Sequence, residues 1–251
     1  MKNFIIVGTQ RTGSSALGEA IGLHPNIACG WEWTQRMPRW RQLEVASQAL
    51  KGEFSSLLPH HKEYMESIYS NEIEWLGFRR LFGASNIWLK HPRYSVVAWR
   101  DNFKNHLEWF RQQNNLHILH IVRKNNIDWL KSKFVASKAK SFIGQPYPEG
   151  LKVEIPLREA IARVQAKQWI DMSLSKLNGI IPYQQIVYED MLADQDAVIA
   201  KSLNFLQCNP SIMDSKEREV KRQSVKPASD YISNYEDLVS ALSNSDLSGE
   251  V

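Results

Sequence analysis

The stretch that most constrains the fold is residues 4 to 25, FIIVGTQRTGSSALGEAIGLHP. Phe4, Ile5, Ile6 and Val7 form an unbroken apolar run rich in β-branched residues, the pattern of a parallel strand buried on both faces. The segment Gly8 to Ser15 follows without a spacer. Ala16, Leu17, Ala20 and Ile21 then recur at helical spacing until Pro25 ends the pattern. The order is strand, glycine-framed loop, helix. In that arrangement backbone N–H groups and the positive end of the helix dipole converge on one point, which suits a phosphate. A plain strand–turn–helix with a glycine-rich turn would share this composition; the order of the flanking elements favours the phosphate reading.

The loop comes close to the pattern GxxxxGK[ST] of nucleoside triphosphate sites. Gly8 and Gly13 have the spacing and Ser15 the hydroxyl position, but Ser14 stands where the lysine is required. A kinase needs that lysine, together with Mg²⁺, on the transferred phosphate. Here the cation comes earlier, at Arg11, with hydroxyls on Thr12, Ser14 and Ser15 around it. The set suits a smaller load, such as one 5′-phosphate with a group attached.

As they stand, these residues resemble the sulfotransferases that use 3′-phosphoadenosine 5′-phosphosulfate (PAPS), whose loop reads roughly [PT]-x-[RK]-[ST]-G-[ST]-[ST]. Bacterial carbohydrate sulfotransferases of the nodulation-factor and trehalose type are the nearest in look. The resemblance implies that Arg11, Thr12, Gly13, Ser14 and Ser15 hold the 5′-phosphosulfate. It implies an α/β fold: one P-loop-like domain over residues 1–251, with a central parallel sheet flanked by helices. Residues 31–85 would be an insertion on the acceptor side and 242–251 a frayed tail.

Composition sets wide bounds. The chain has 251 residues, 43% hydrophobic, an ordinary share for a soluble globular protein. A net charge of +4 suits an anionic ligand and is too weak to argue for nucleic acid. Two cysteines, Cys29 and Cys208, make neither a disulfide framework nor a zinc site. No charged segment leads into a long apolar run, so a cytoplasmic protein without a membrane span is expected.

Further along, Asn86 to Lys90, Leu116 to Val122 and Gln185 to Tyr188 read as strands. Asn102–Gln113, Asn126–Lys140 and Leu157–Asn178 read as helices, the last with Ile161, Val164, Gln168 and Met172 along one stripe. Phe142–Pro156 reads as a loop, and Asp194 as the cap of a helix reaching Gln207 with Ile199, Leu203 and Leu206 inward. Residues 31–85 read as insertion rather than sheet. Strands alternating with helices predict a parallel sheet, with ligands at the carboxyl ends of the strands: Gly8, Lys90, Arg123 and Tyr188.

Arg123 and Ser132 resemble the family's second signature, which holds the cofactor's 3′-phosphate; Lys124 competes with Arg123 for that role. Tyr188-Glu189-Asp190 resembles a segment whose aromatic packs on the adenine. Arg222 and Gln223 resemble a C-terminal pair that closes on the nucleotide. Sulfuryl transfer also needs a base for the acceptor hydroxyl and a cation at the leaving phosphate. Glu32 and His91 are the candidate bases, and Lys90 and Arg11 the candidate cations. Histidine titrates near neutrality on its own, whereas Glu32 needs its pKa raised by burial, which Trp31 and Trp33 offer. A lone histidine in this place is also often purely structural.

The implied function is in-line transfer of a sulfuryl group from PAPS to a hydroxyl, or secondarily an amine, of a carbohydrate or small metabolite. Adenosine 3′,5′-bisphosphate would be released, with no metal involved. The partners expected are a small-molecule or carbohydrate acceptor and no nucleic acid, with the protein a monomer or homodimer. A P-loop kinase and a non-catalytic nucleotide-binding protein are the alternatives.

Overall fold

The computed structural model describes residues 2–29, 48, 75–82 by backbone, 104–113, 115–140, 147–212 and 226–246. A five-stranded, wholly parallel sheet has the order β2-β3-β1-β4-β5. Its strands are β1 (Lys2–Thr9), β2 (Ile27–Cys29), β3 (Trp75–Phe82), β4 (Leu116–Val122) and β5 (Tyr183–Val187). The apolar run sits in the central strand, and alternate residues serve opposite layers. Phe4 and Ile6 pack with Leu17, Ile21, Leu119 and Ile121. Ile5 and Val7 pack with Ile118, Trp129, Val164 and Ile170.

Helices cover both faces. On the first lie α1 (Ser14–Gly22) and α6 (Gln195–Phe205), which follows the short α5 (Tyr188–Ala193). On the second lie α2 (104–111), α3 (Asn126–Ala139), α4 (Leu157–Ser175) and α8 (Tyr235–Ser243), preceded by α7 (Ala228–Tyr231). The helix after β1 and the helix after β4 therefore leave the sheet on opposite sides. That splits the chain apart between the carboxyl ends of β1 and β4, where ligands bind in open α/β sheets.

Two helix starts follow from local chemistry. Asn125 accepts a hydrogen bond from the Asp128 N–H at 2.8 Å and caps α3. Asp194 accepts from the Ala197 N–H at 2.9 Å and caps α6, whose Ile199, Leu203 and Leu206 are fully buried as expected.

Four expectations need correction. The strand β3, paired to β1 along its whole length, lies inside the region read as insertion rather than sheet. The strand expected at 86–90 lies outside the described residues. Tyr188 opens α5 instead of ending β5. The buried stripe of α4 is Ala160, Val164, Lys167, Ile170 and Leu174, and Met172 is 57% exposed. Leu242 is fully buried in α8, so ordered chain continues past the point where a frayed tail was expected.

Candidate nucleotide site

The loop after β1 is folded by its own residues. Gly13 has φ 88°, in the left-handed region. A Cβ there would lie 2.5 Å from Cδ2 of Tyr188, so glycine is required by both backbone and space. At Gly8 a Cβ would stand 2.4 Å from the Ile121 carbonyl oxygen, which lets β4 run close beside the loop's start. The Thr12 hydroxyl donates to the Thr9 carbonyl at 2.8 Å. That hydroxyl is spent on the loop, and any contact of Thr12 with a ligand falls to its backbone N–H. Ser14, almost fully buried, starts α1, which has no acidic residue in its first turn and leaves its N-terminal field positive.

Arg11 is the outlier. It holds φ 69°, a conformation that costs energy in a non-glycine residue and persists only when its surroundings enforce it. Four neighbours do so. Arg123 Nη1 donates to the Arg11 carbonyl at 3.3 Å. Trp129, fully buried on α3, donates its indole N–H to the Gln10 carbonyl at 2.8 Å. The Arg11 side chain donates from Nε to Ser132 Oγ at 3.0 Å and from Nη2 to the Tyr147 hydroxyl at 3.4 Å. Arg11 and Ser132, proposed for two different phosphates, thus meet at one point.

Arg123 leaves the end of β4 and turns inward. Its guanidinium lies over the Tyr188 ring, 4.5 Å from the centroid, and 3.8 Å from Asp128. It is 7% exposed, and its buried Nε has no hydrogen-bond partner among the described residues. Burial lowers its pKa, and the nearby Tyr188, Asp128 and Glu189 partly offset that. Lys124 instead carries an exposed side chain, and its backbone N–H donates to Glu189 Oε2 at 3.0 Å. The geometry puts Arg123 beside the loop and Lys124 outside it. Tyr188 has two fixed contacts, Gly13 and Arg123, so it wedges the loop against β4 whatever else it touches.

Sequence reasoning missed three neighbours on α3 and α4. Lys133 lies over the Trp129 ring at 5.5 Å from Nζ. Arg163, 8% exposed, pairs with Glu159 at 2.7 Å through Nε and stacks on Phe134 at 5.2 Å. Lys131 bonds Asp128 at 2.7 Å and the Lys226 carbonyl at 3.2 Å, tying α3 to the C-terminal segment. Helical spacing from Trp129 to Ser132 and Lys133 was the available signal, since those positions share a face. The contacts of Arg163 and Tyr147 with this face carry no local signature.

Glu32, Lys90, His91, Arg222 and Gln223 lie outside the described residues. Among the described residues no cluster of His, Cys, Asp or Glu could hold a metal, and no helix is long and apolar enough to cross a membrane.

No protein-family model matches the chain, and no curated protein matches it. Solved structures do. A sulfotransferase from Alicyclobacillus acidocaldarius is 12% identical with a TM-score of 0.49, over 100% of this chain and 97% of that one. The sulfotransferase domain of the Synechococcus PCC 7002 olefin synthase is 13% identical with a TM-score of 0.47, over 94% and 84%. A sugar kinase from Janibacter sp. is 11% identical with a TM-score of 0.40, over 85% and 99%. At such TM-scores these likenesses decide nothing about activity, which has to be read from the loop and its neighbours.

Proposed function

We propose that this protein is a sulfotransferase that binds PAPS between the carboxyl ends of β1 and β4 and transfers its sulfuryl group to a hydroxyl of a carbohydrate or small metabolite. The observation that carries the reading is the Arg11–Ser132 hydrogen bond. Two segments that resemble separate phosphate-holding signatures are 121 residues apart and in contact.

The residues present fit a doubly phosphorylated nucleotide. Arg123 Nε is a buried donor with no partner among the described residues, an arrangement that costs free energy until an acceptor arrives. Arg11, Arg123 and the positive end of α1 supply cationic character at one place. In this reading Arg11, Gly13, Ser14, Ser15 and the Thr12 N–H surround the 5′-phosphosulfate. Arg123 and Ser132 hold the 3′-phosphate, and Tyr188 lies toward the adenine. PAPS supplies the activated sulfuryl group. Glu32 or His91 takes the acceptor's proton, Lys90 and Arg11 meet the charge on the leaving phosphate, and Arg222 with Gln223 closes the site. The protein acts in the cytoplasm without a metal.

The test is a thermal-shift titration with adenosine 3′,5′-bisphosphate, with ATP-Mg and AMP as controls. A ligand at a hundred times its dissociation constant adds about 2.7 kcal/mol of stability. A shift with the bisphosphate alone supports the reading and opens an acceptor screen with PAPS. An equal or larger shift with ATP-Mg returns the kinase. No shift with any of them removes the nucleotide site.

A further inference from the structure

Tyr147 has no role in the reading above, yet its hydroxyl meets the loop at Arg11, whose backbone is held in the left-handed region. Arg11 donates from Nη2 to the Tyr147 hydroxyl at 3.4 Å and from Nε to Ser132 Oγ at 3.0 Å. Nε and Nη2 share one edge of the planar guanidinium, so hydroxyls from two separate segments hold the same edge. A single bond fixes one point of the group; two bonds along one edge fix its plane. Tyr147 is itself held from several sides. It precedes Pro148, which confines its backbone to extended conformations. The Leu151 N–H donates to the Pro148 carbonyl at 3.3 Å and closes a turn that Gly150, with φ 70°, permits. The Tyr147 ring packs against the core on the α4 side of the sheet and meets the buried ring of Tyr231 edge to face, with 5.8 Å between centroids. The helix that carries Tyr231, α7, is tied back to the same segment: the Val153 N–H donates to the Tyr231 carbonyl at 2.8 Å.

We propose that Tyr147 is a positioning residue of the nucleotide site, whose hydroxyl holds the Arg11 guanidinium in the plane in which it meets the phosphosulfate. The proposal rests on the nucleotide reading and adds to it a residue from the segment before α4. Tyr147 acts through Arg11 and not through the ligand. Its ring and backbone are fixed by the turn and by Tyr231, so its hydroxyl orients the arginine before any ligand arrives. An arginine aimed in advance reduces the ordering that binding has to supply, and the hydroxyl therefore registers in affinity.

The experiment is a double-mutant cycle on the full chain: wild type, Tyr147→Phe, Arg11→Ala and the double variant, each titrated calorimetrically with adenosine 3′,5′-bisphosphate. Phenylalanine keeps the ring and its contact with Tyr231 and removes only the hydroxyl. Tyr147→Phe should bind about three- to tenfold more weakly, the loss of one modest hydrogen bond. In the Arg11→Ala background the same change should cost nothing, because the hydroxyl has no guanidinium to hold. An equal loss in both backgrounds overturns the proposal, since the hydroxyl then serves the ligand or the fold directly. Unchanged or tighter binding in Tyr147→Phe overturns it as well. A second readout needs no ligand. Exchange between the two Nη groups of Arg11, read from nitrogen-15 side-chain spectra of the free protein and assigned by its absence in Arg11→Ala, should quicken about three- to tenfold in Tyr147→Phe. Exchange as slow as in the wild type rejects the proposal whatever the titrations give. If the wild type ignores the bisphosphate, the nucleotide reading fails by itself, and this exchange alone decides whether Tyr147 holds Arg11.

Discussion

Arg11 and Ser132 are joined by a hydrogen bond of 3.0 Å from the guanidinium Nε to the hydroxyl Oγ. One sits in the turn after the first strand, the other a turn and a half into the helix after the fourth. The bond closes the gap between the two crossover helices that part at β1 and β4, and it orients the arginine away from a relaxed backbone. A ligand binding there finds its donors already aimed, and little further ordering is required of the loop.

Substituting either partner should weaken nucleotide binding without unfolding the protein. Arg11→Ala and Ser132→Ala are each expected to cost about 1–3 kcal/mol in adenosine 3′,5′-bisphosphate affinity, the range for a charge-assisted bond. Arg11→Ala should lose more, because Ser132 has a single oxygen to offer whereas Arg11 also reaches Tyr147. Calorimetric titration of both variants measures this, and full affinity in both would remove the site.

Gly13→Ala should destabilise the fold by about 1–3 kcal/mol, from left-handed strain and from the contact with Tyr188. The two causes separate in a double-mutant cycle. In a Tyr188→Ala background the ring is gone and the strain remains, so the same glycine substitution should cost less. Denaturant midpoints for the four proteins test it. An equal cost in both backgrounds would show that the ring does not set the limit.

The parts of this molecule that could be read from sequence are those decided locally. The run Phe4–Val7, the glycine spacing of the loop and the helical period after it all name the β1–loop–α1 unit. Asp194 is a cap because a short acceptor precedes a helix. The strand β3, WLGFRRLF, escapes because Gly77 and the Arg79-Arg80 pair break its apolar run, and only its pairing with β1 and β2 makes it a strand. At three residues, β2 is too short for periodicity to register. The inner face of α4 was misread for a different reason. Arg163 and Lys167 are buried there, neutralised by Glu159 and Asp171 one turn away, so polarity and burial part company. In the site, Arg11, Arg123 and Ser132 were legible through their resemblance to the family's two phosphate-holding signatures. Tyr147 and Arg163 were not, because Tyr147 reaches Arg11, and Arg163 reaches Phe134, from segments whose approach is set by tertiary packing.

A second polar cluster lies behind the sheet. His120, fully buried on β4, bonds the Tyr183 hydroxyl at 2.6 Å through Nδ1 and faces Asp171 at 3.6 Å through Nε2. Burial, with Asp171 beside it, raises the Tyr183 pKa, so the phenol stays protonated. Tyr183→Phe keeps the ring packing and strips His120 of that bond, leaving a buried polar nitrogen unsatisfied. The expected loss is about 1–3 kcal/mol of stability with bisphosphate affinity unchanged. Urea unfolding together with a binding titration measures both; a weakened Kd would mean that the cluster reaches the loop.

Lys133 gives the stability of the free protein a pH dependence of known sign. Its pKa is about 8 in the fold against 10.5 ordinarily, with burial the larger cause and Arg163 and Arg11 next. Below about pH 8 the ammonium is charged in both states, and the native state bears the full cost of holding it. Between about pH 8 and 10.5 the unfolded chain keeps a proton that the native protein has shed, so the contribution of this residue to stability rises with pH. Above that range both states are neutral and the cost is gone. Lys133→Met should therefore be more stable than wild type at neutral pH, with the gap closing across that window. Groups common to both proteins cancel in the difference, which isolates this residue. Urea midpoints of the two proteins across the range test the claim, and a gap independent of pH would place the excess charge elsewhere.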